Sequence, residues 1–130
     1  MKIPKIAAEA AASIYVVDNE PCLTNLYIGL LEASGYMVSA FNDRLEALAA
    51  LNADRKKPDL LITDYRGHST PVDQFLHQCL MVHPALRILM VSGFRRKDLR
   101  FSRAKPDRFI EKPFAPEEFQ REVKAILASR

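Results

Sequence analysis

The amino-acid sequence predicts one α/β domain, a doubly wound parallel sheet of five strands with helices on both faces. Short aliphatic runs alternate along the chain with segments whose apolar residues recur at helical spacing. The chain has 130 residues, of which 48% are hydrophobic and 27% charged, a composition able to bury a single core. It contains no internal repeat and no linker, so one domain accounts for its length.

Five runs rich in aliphatic residues predict the strands. They cover residues 13–17, 37–41, 60–63, 87–91 and 108–110. The run 60–63 stops at Asp64, which is typical of a buried strand with a carboxylate at its C-terminal edge. In open α/β sheets ligands bind at this edge, so the strand ends are the region where chemistry is expected.

The first two helices are predicted at residues 21–34 and after Asp43. Gly35 supplies a C-terminal stop for the first, and Asp43 with Glu46 resembles a capping box for the second. The inward faces are expected to consist of Leu23, Leu26, Tyr27, Leu30 and Leu31 in the first helix and of Leu45, Leu48 and Ala49 in the second.

Three further helices complete the pattern. The third ends near His83, and the last has Pro116 in its first turn, where proline is favoured. The fourth, at residues 96–104, has few apolar anchors, so we expect it to be short or mobile. The predicted inner faces are Val72, Phe75, Leu76, Cys79 and Leu80 in the third, Leu99, Phe101 and Ala104 in the fourth, and Phe119, Val123, Ile126 and Leu127 in the last.

Composition and targeting signals exclude several classes of protein. No apolar stretch approaches the ~18 residues that span a bilayer, so no membrane association is expected. Residues 1–12 contain Glu9 and lack a long apolar core, which excludes a secretory signal and predicts a flexible leader before a domain at 13–130. Cys22 and Cys79 lie in helical patterns, which predicts buried free thiols and fits a reducing cytoplasm.

Basic residues cluster between positions 95 and 108, although the net charge of the chain is only +3. A solvated helix is the default interpretation of this cluster, and a docking surface for an acidic partner is the alternative. No aromatic stacking platform or recognition-helix motif accompanies it, so direct binding of nucleic acid is not expected.

Polar residues stand at the ends of four predicted strands. Asp18 follows the first, Asp64 the third and Ser92 the fourth, and Lys112 comes just after the fifth. Each of these residues alone has an ordinary structural explanation, such as a loop cap or a strand-end hydroxyl that bonds the local backbone. Together, at converging strand ends, they indicate a site.

Four stretches of the chain, in this order, are similar to the motifs of response-regulator receiver domains of two-component signalling. They are residues 14–21 (IYVVDNEP), 58–64 (PDLLITD), 90–93 (MVSG) and 109–114 (FIEKPF). The resemblance extends from Ser13 to Ala128. It implies a flavodoxin-like sheet with the strand order 2-1-3-4-5.

The resemblance implies that Asp64 is the phosphoryl acceptor, since a carboxylate can attack a phosphoryl group and form an aspartyl phosphate. Lys112 and Ser92 would contact the phosphoryl oxygens. Phe109 stands where the family has its aromatic switch residue, and the bond between Lys112 and Pro113 matches the family's cis peptide.

A Mg²⁺ site formed by Asp18, Asn19, Asp64 and the backbone carbonyl of Arg66 is also implied by the resemblance. The family usually has two adjacent acids where this chain has Asp18 and Asn19. An amide oxygen can ligate Mg²⁺ but brings no charge. We therefore expect weaker metal binding, and slower phosphorylation, than is usual.

The loop after Asp64 also departs from the family pattern. Gly67 and His68 replace the usual Met-Pro, and His68 is expected to be a solvated loop histidine. Arg66 and Phe94 occupy the two positions that tune dephosphorylation in the family, and both side chains are large. We expect them to hinder an attacking water and to prolong the phosphorylated state.

The leading interpretation is a cytoplasmic, phosphorylation-dependent switch that receives its phosphoryl group from a histidine kinase or a histidine phosphotransfer protein. It would not be an enzyme beyond promoting its own phosphorylation and dephosphorylation. The family's output face, formed by the fourth helix, the fifth strand and the fifth helix, would bind an effector or a second copy of the chain.

Two alternatives compete with the switch. A degenerate receiver would keep the fold as a protein-binding module without taking phosphate, and Asn19 and the altered loop favour it. A small-molecule enzyme of similar architecture fits less well, because the chain has four glycines and neither a P-loop nor a dinucleotide fingerprint.

Overall fold

The order of the strands confirms the predicted sheet. The computed structural model describes residues 11–65 and 70–129, and within them five parallel strands lie in the order β2-β1-β3-β4-β5. The elements are β1 (Ser13–Val17), α1 (Pro21–Ala33), β2 (Met37–Phe41), α2 (Arg44–Ala53), β3 (Leu60–Thr63), α3 (Val72–Val82), β4 (Arg87–Ser92), a 3-10 turn (Arg96–Asp98), β5 (Arg108–Glu111) and α4 (Pro116–Ala128).

The register of the central strands sets the position of the polar strand ends. Val17 lies beside Thr63, and Thr63 lies beside Met90. Because the strands are parallel, the residues that follow β1 and β3 leave the same edge of the sheet side by side. Asp18 and Asp64 are therefore neighbours, as the sequence pattern predicts.

Two apolar clusters cover the two faces of the sheet. One contains side chains of α2 and α3, including Leu51, Phe75 and Leu76, and the other contains side chains of α1 and α4, including Tyr27 and Phe119. The predicted faces of the third and last helices are confirmed: Phe75, Leu76 and Cys79 are buried in one, and Phe119, Val123 and Ile126 in the other.

The predicted inner face of α2 is wrong in part. Leu48 packs against the core, but Leu45 is 56% exposed and Ala49 is exposed as well. The buried residues of the helix are Arg44, Ala47 and Leu51. The predicted cap is present, since the Asp43 carboxylate accepts hydrogen bonds from the backbone amides of residues 45 and 46. The helix is thus rotated from the expected face, and the rotation brings a charged side chain into the interior.

Exposure also differs from expectation in α1. Leu26 is 44% exposed, and Cys22 is exposed, so the prediction of two buried thiols is wrong for Cys22. Cys79 is buried, and burial raises the pKa of its thiol to about 12. Both cysteines are free.

The described chain has four α-helices, because the fourth predicted helix does not form. Residues 96–98 make a 3-10 turn, and the chain from Leu99 to the start of β5 is irregular. Amides that would donate along a helix bond instead to Asp73, at the start of α3, which accepts from the backbone of Ser102, Arg103 and Ala104. Few apolar anchors and this external acceptor together explain the loss of the helix.

The predicted leader, residues 1–12, falls mostly outside the described residues. None of the helices described in 11–65 and 70–129 is long and apolar enough to cross a membrane. The division of the chain at residue 13 stays a prediction.

Candidate functional site

Two carboxylates lie buried at the C-terminal edge of the sheet. Asp18 follows β1 and is 1% exposed, and Asp64 follows β3 and is 6% exposed. Burial, and after it the negative charge of Asp18, raise the pKa of the Asp64 carboxyl to about 7. Arg44 and Lys112 act in the opposite direction. A cation placed between the two acids would favour the ionised form of Asp64.

The two oxygens of Asp18 have different surroundings. Oδ1 accepts a hydrogen bond of 2.9 Å from the backbone amide of Glu20. Oδ2 is buried without a hydrogen-bond donor, and lies 3.5 Å from Nζ of Lys112. A buried carboxylate oxygen with no donor is costly unless a cation faces it. The environment of Oδ2 therefore fits a metal ligand.

Asn19 sits at the exposed rim of the site. It is not the cap of α1, because the helix begins at Pro21 and its N-cap is Glu20, which makes no side-chain cap bond. In the parts of the chain that the structure describes, no three acidic, histidine or cysteine side chains come together as a metal cluster. Because position 19 carries an amide, the acids of the site are the carboxylates of Asp18 and Asp64. Arg66, whose carbonyl is the third expected ligand, lies outside the described residues, as does His68.

Ser92, Lys112 and Asp64 line one small cleft. It measures about 120 Å³ and is also lined by Tyr65 and Phe94. The backbone amide of Lys112 donates to the carbonyl of Ser92 at 2.8 Å, which ties the end of β5 to the end of β4. The Ser92 hydroxyl accepts a 3.0 Å hydrogen bond from the amide of Phe94. The structure thus brings the predicted acceptor, hydroxyl and ammonium groups to a single opening.

Pro113 follows Lys112 through a cis peptide bond. Phe109 lies in β5, half-buried against the cluster that contains α2 and α3. It lines a second cavity of about 110 Å³ with Leu99 and Phe101. Phe109 is therefore outside the cleft, on the side of the sheet covered by the irregular segment that replaces the fourth helix.

Aromatic rings connect the cleft to that segment. The ring of Tyr65 meets Phe94 edge-on at 5.9 Å and Phe101 edge-on at 5.8 Å between centroids. The Tyr65 hydroxyl accepts a hydrogen bond from the backbone amide of Arg100. The residue next to Asp64 is thus in direct contact with residues 100 and 101.

Arg44 is the site residue that sequence reasoning missed. It is 1% exposed, and its Nη2 atom lies 3.5 Å from Oδ1 of Asp64. The sequence did carry a signal, because Ala47, Leu48 and Leu51 stand at helical spacing after Arg44 and continue its face of the helix. Arginine is almost never fully buried unless it is paired, so its residue type argues against an interior position.

Comparison with known proteins decides the family. The sequence model of the response regulator receiver domain matches residues 14–124. The chain belongs to this family. It is 35% identical over 122 residues to the alkaline phosphatase synthesis transcriptional regulatory protein PhoP of Bacillus subtilis, with 88% of this chain and 48% of PhoP covered.

A second relative is the nitrogen assimilation regulatory protein NtrX of Azorhizobium caulinodans, 32% identical over 108 residues that cover 80% of this chain and 23% of NtrX. This receiver domain therefore spans about half of one relative and about a quarter of the other. In fold it is similar to a CheY-like receiver domain from Methanospirillum hungatei, with a TM-score of 0.81, 23% identity, and 91% and 94% of the two chains covered.

Receiver domains share several general properties. Receiver domains belong to two-component systems, in which they interact with histidine kinases and effector domains. They generally bind Mg²⁺ at an acidic pocket, and they are generally not enzymes apart from their own phosphorylation.

Proposed function

We propose that Asp64 accepts a phosphoryl group from a histidine kinase or a histidine phosphotransfer protein. The observation that supports this most directly is the shared cleft, which Asp64, Ser92 and Lys112 line together. No contact among the described residues favours the degenerate alternative, whose support is confined to Asn19 and the altered loop.

The transfer is a displacement at phosphorus. A carboxylate oxygen of Asp64 forms a bond to phosphorus, the bond from phosphorus to the donor's imidazole nitrogen breaks, and that nitrogen keeps the electron pair. Lys112 stabilises the negative charge of the phosphoryl oxygens, and Ser92 donates a hydrogen bond to one of them. Both groups stand at the cleft before the donor arrives, so little reorganisation is required.

Asp18, Asn19, Asp64 and the carbonyl of Arg66 are proposed to hold Mg²⁺. When bound, the ion neutralises phosphoryl oxygens as charge develops. The Oδ2 atom of Asp18, which is buried and accepts no hydrogen bond, supports the assignment. Affinity is expected to be lower than in receivers with two adjacent acids, because Asn19 contributes no charge.

Phosphorylation is proposed to shift a two-state equilibrium through Ser92 and Phe109 to the output face, here residues 96–104, β5 and α4. Arg96, Lys105 and Arg108 line the cavity on this face together with apolar side chains, which suits an acidic effector or a second copy of the chain.

Arg66 and Phe94 are proposed to slow hydrolysis of the aspartyl phosphate by obstructing water. A cytoplasmic location accords with the two free thiols.

The test is modification of the protein by a small phosphodonor in the presence of Mg²⁺, followed by intact mass. We expect one phosphoryl group on the native chain and none on Asp64→Asn. Asp98→Asn, which removes an exposed acid in the 3-10 turn, serves as the control and should be modified normally. If no modification depends on Asp64, even with a cognate kinase, the proposal is wrong.

A further inference from the structure

Arg44 joins the two ends of the loop that follows Asp64. Its Nη2 atom donates a 2.6 Å hydrogen bond to the carbonyl oxygen of Asp64, and its Nη1 atom donates a 2.7 Å bond to the carbonyl oxygen of Thr70. These two carbonyls bracket the loop between β3 and α3. The planar guanidinium can reach both at once, because its donors diverge in a fixed fork.

The location of Arg44 is unfavourable unless these contacts compensate. It is the first residue of α2, where the helix dipole places positive charge and disfavours a cation. The side chain is almost fully buried, and its Nε atom has no hydrogen-bond partner. Burying a charged group is costly without partners. The two carbonyls and the Asp64 carboxylate are the groups that stabilise the charge.

The same side chain also contacts the helix that the loop enters. The guanidinium carbon lies 5.8 Å from the centroid of the Phe75 ring, in the first turn of α3. Arg44 thus contacts the end of β3, the start of α3 and, through its own backbone, α2.

The two buried acids of the site are each paired with a basic side chain. Arg44 lies 3.5 Å from the carboxylate of Asp64, and Lys112 lies 3.5 Å from that of Asp18. Each buried acid among the described residues of the site therefore faces a cation of its own. Arg44 thus holds Asp64 by a hydrogen bond to its backbone carbonyl and by an ion pair with its carboxylate. The carboxylate therefore has little freedom to rotate away from the cleft.

We propose that Arg44 is a positioning residue for phosphoryl transfer, which fixes the orientation of Asp64 and holds Thr70, just before α3, against the end of β3. The inference rests on the proposed role of Asp64 as acceptor. It also makes a claim about the unphosphorylated protein, which can be tested without phosphate or metal.

The experiment compares Arg44→Lys and Arg44→Met with Leu51→Ala. The lysine keeps the charge but cannot bond both carbonyls in the same fork, and the methionine removes charge and donors while keeping an apolar stem. Leu51 is buried two turns further along α2, so its truncation lowers stability without touching Asp64. All variants are assayed below their unfolding transitions, with folding checked by circular dichroism.

The first measurement is hydrogen exchange at residues 70–76, where α3 begins, in the metal-free, unphosphorylated chain. We expect exchange to accelerate by about tenfold in both Arg44 variants, as expected for the loss of one or two hydrogen bonds, and to change less in Leu51→Ala. Unchanged exchange in Arg44→Met would overturn the claim that Arg44 holds Thr70 and the start of α3 in place.

The second measurement is the rate of phosphorylation by a small donor at saturating Mg²⁺. Displacement of a reacting group by about 1 Å can cost about 100-fold in rate, so we expect both Arg44 variants to fall at least about tenfold. Leu51→Ala should stay within about threefold of the native rate. A native rate in Arg44→Lys would refute positioning by the fork. If the native chain itself takes no phosphate, the function is wrong, while the exchange result still decides the role of Arg44.

Discussion

Replacing Asp73 with alanine should destabilise the fold and release the segment that stands in place of the fourth helix. The Asp73 carboxylate accepts four hydrogen bonds of 2.9–3.3 Å, from the amides of Ser102, Arg103 and Ala104 and from the Ser102 hydroxyl. It is also ion-paired with Arg103 at 3.5 Å. This carboxylate is thus a polar attachment of residues 102–104 to α3.

The magnitude follows from the number and exposure of these bonds. Each net hydrogen bond is worth about 0.5–1.5 kcal/mol, and the Asp73 side chain is 20% exposed, so water replaces part of the loss. The ion pair adds little, because the Arg103 side chain is 54% exposed. We therefore expect Asp73→Ala to lower the free energy of unfolding by about 2 kcal/mol. For a domain of this size that corresponds to about 8 °C in Tm.

The effect of Asp73 should depend on pH. Burial raises the pKa of the Asp73 carboxyl, but the hydrogen bonds from Arg103, Ser102 and Ala104 outweigh burial and hold the pKa well below its usual range. A carboxyl with a depressed folded-state pKa stabilises the fold above its unfolded pKa of about 4, and the contribution is lost as pH falls toward the folded value. The difference between native and Asp73→Asn chains should accordingly be full at neutral pH and shrink below about pH 4.

Urea unfolding followed by circular dichroism measures the change. Glu117→Ala is the matched control, because Glu117 is an exposed acid in the first turn of α4 and reports the helix-dipole contribution alone. Hydrogen exchange at residues 102–104 should accelerate in Asp73→Ala only. The reasoning is refuted if Asp73→Ala unfolds within about 0.5 kcal/mol of the Glu117 control.

Three further changes test other parts of the molecule. Asn19→Asp should tighten Mg²⁺ binding by about tenfold in isothermal titration, because it restores a charged ligand; unchanged affinity would remove Asn19 as the cause of weak binding. Phe94→Ala should shorten the lifetime of the aspartyl phosphate several-fold in a dephosphorylation time course, and a longer lifetime would contradict obstruction of water. Leu76→Ala should lower the free energy of unfolding by about 3 kcal/mol in urea, since Leu76 is fully buried; a loss below about 1 kcal/mol would mean that the core repacks around the cavity.

The sheet and the ends of its strands could be predicted because their signals are local. Each strand is a short aliphatic run, and parallel pairing brings the residues after the runs to one edge whatever the helices do. Asp18, Asp64, Ser92 and Lys112 were therefore placed together from their spacing and the family resemblance. Their distances and burial required the fold.

The helices were less predictable where polar residues decide the outcome. In α2 the apolar pattern allows two rotations, and Arg44 settles the choice through carbonyls 20 and 26 residues away in sequence. Asp73 likewise meets its partners 29–31 residues along the chain. Neither set of partners can be read from a short window of sequence, which therefore gives a misplaced face for α2 and an extra helix at 96–104.

The position of Tyr65 gives the domain a natural optical reporter. The chain has no tryptophan and four tyrosines, so tyrosine emission is not lost by energy transfer to an indole. Tyr65 is adjacent to Asp64, its ring lies between those of Phe94 and Phe101, and its hydroxyl accepts a backbone hydrogen bond. A change of charge on Asp64, or a shift of residues 100–101, alters the surroundings of that ring. The emission of the unlabelled chain, with Tyr65→Phe as the blank, can therefore follow both in real time.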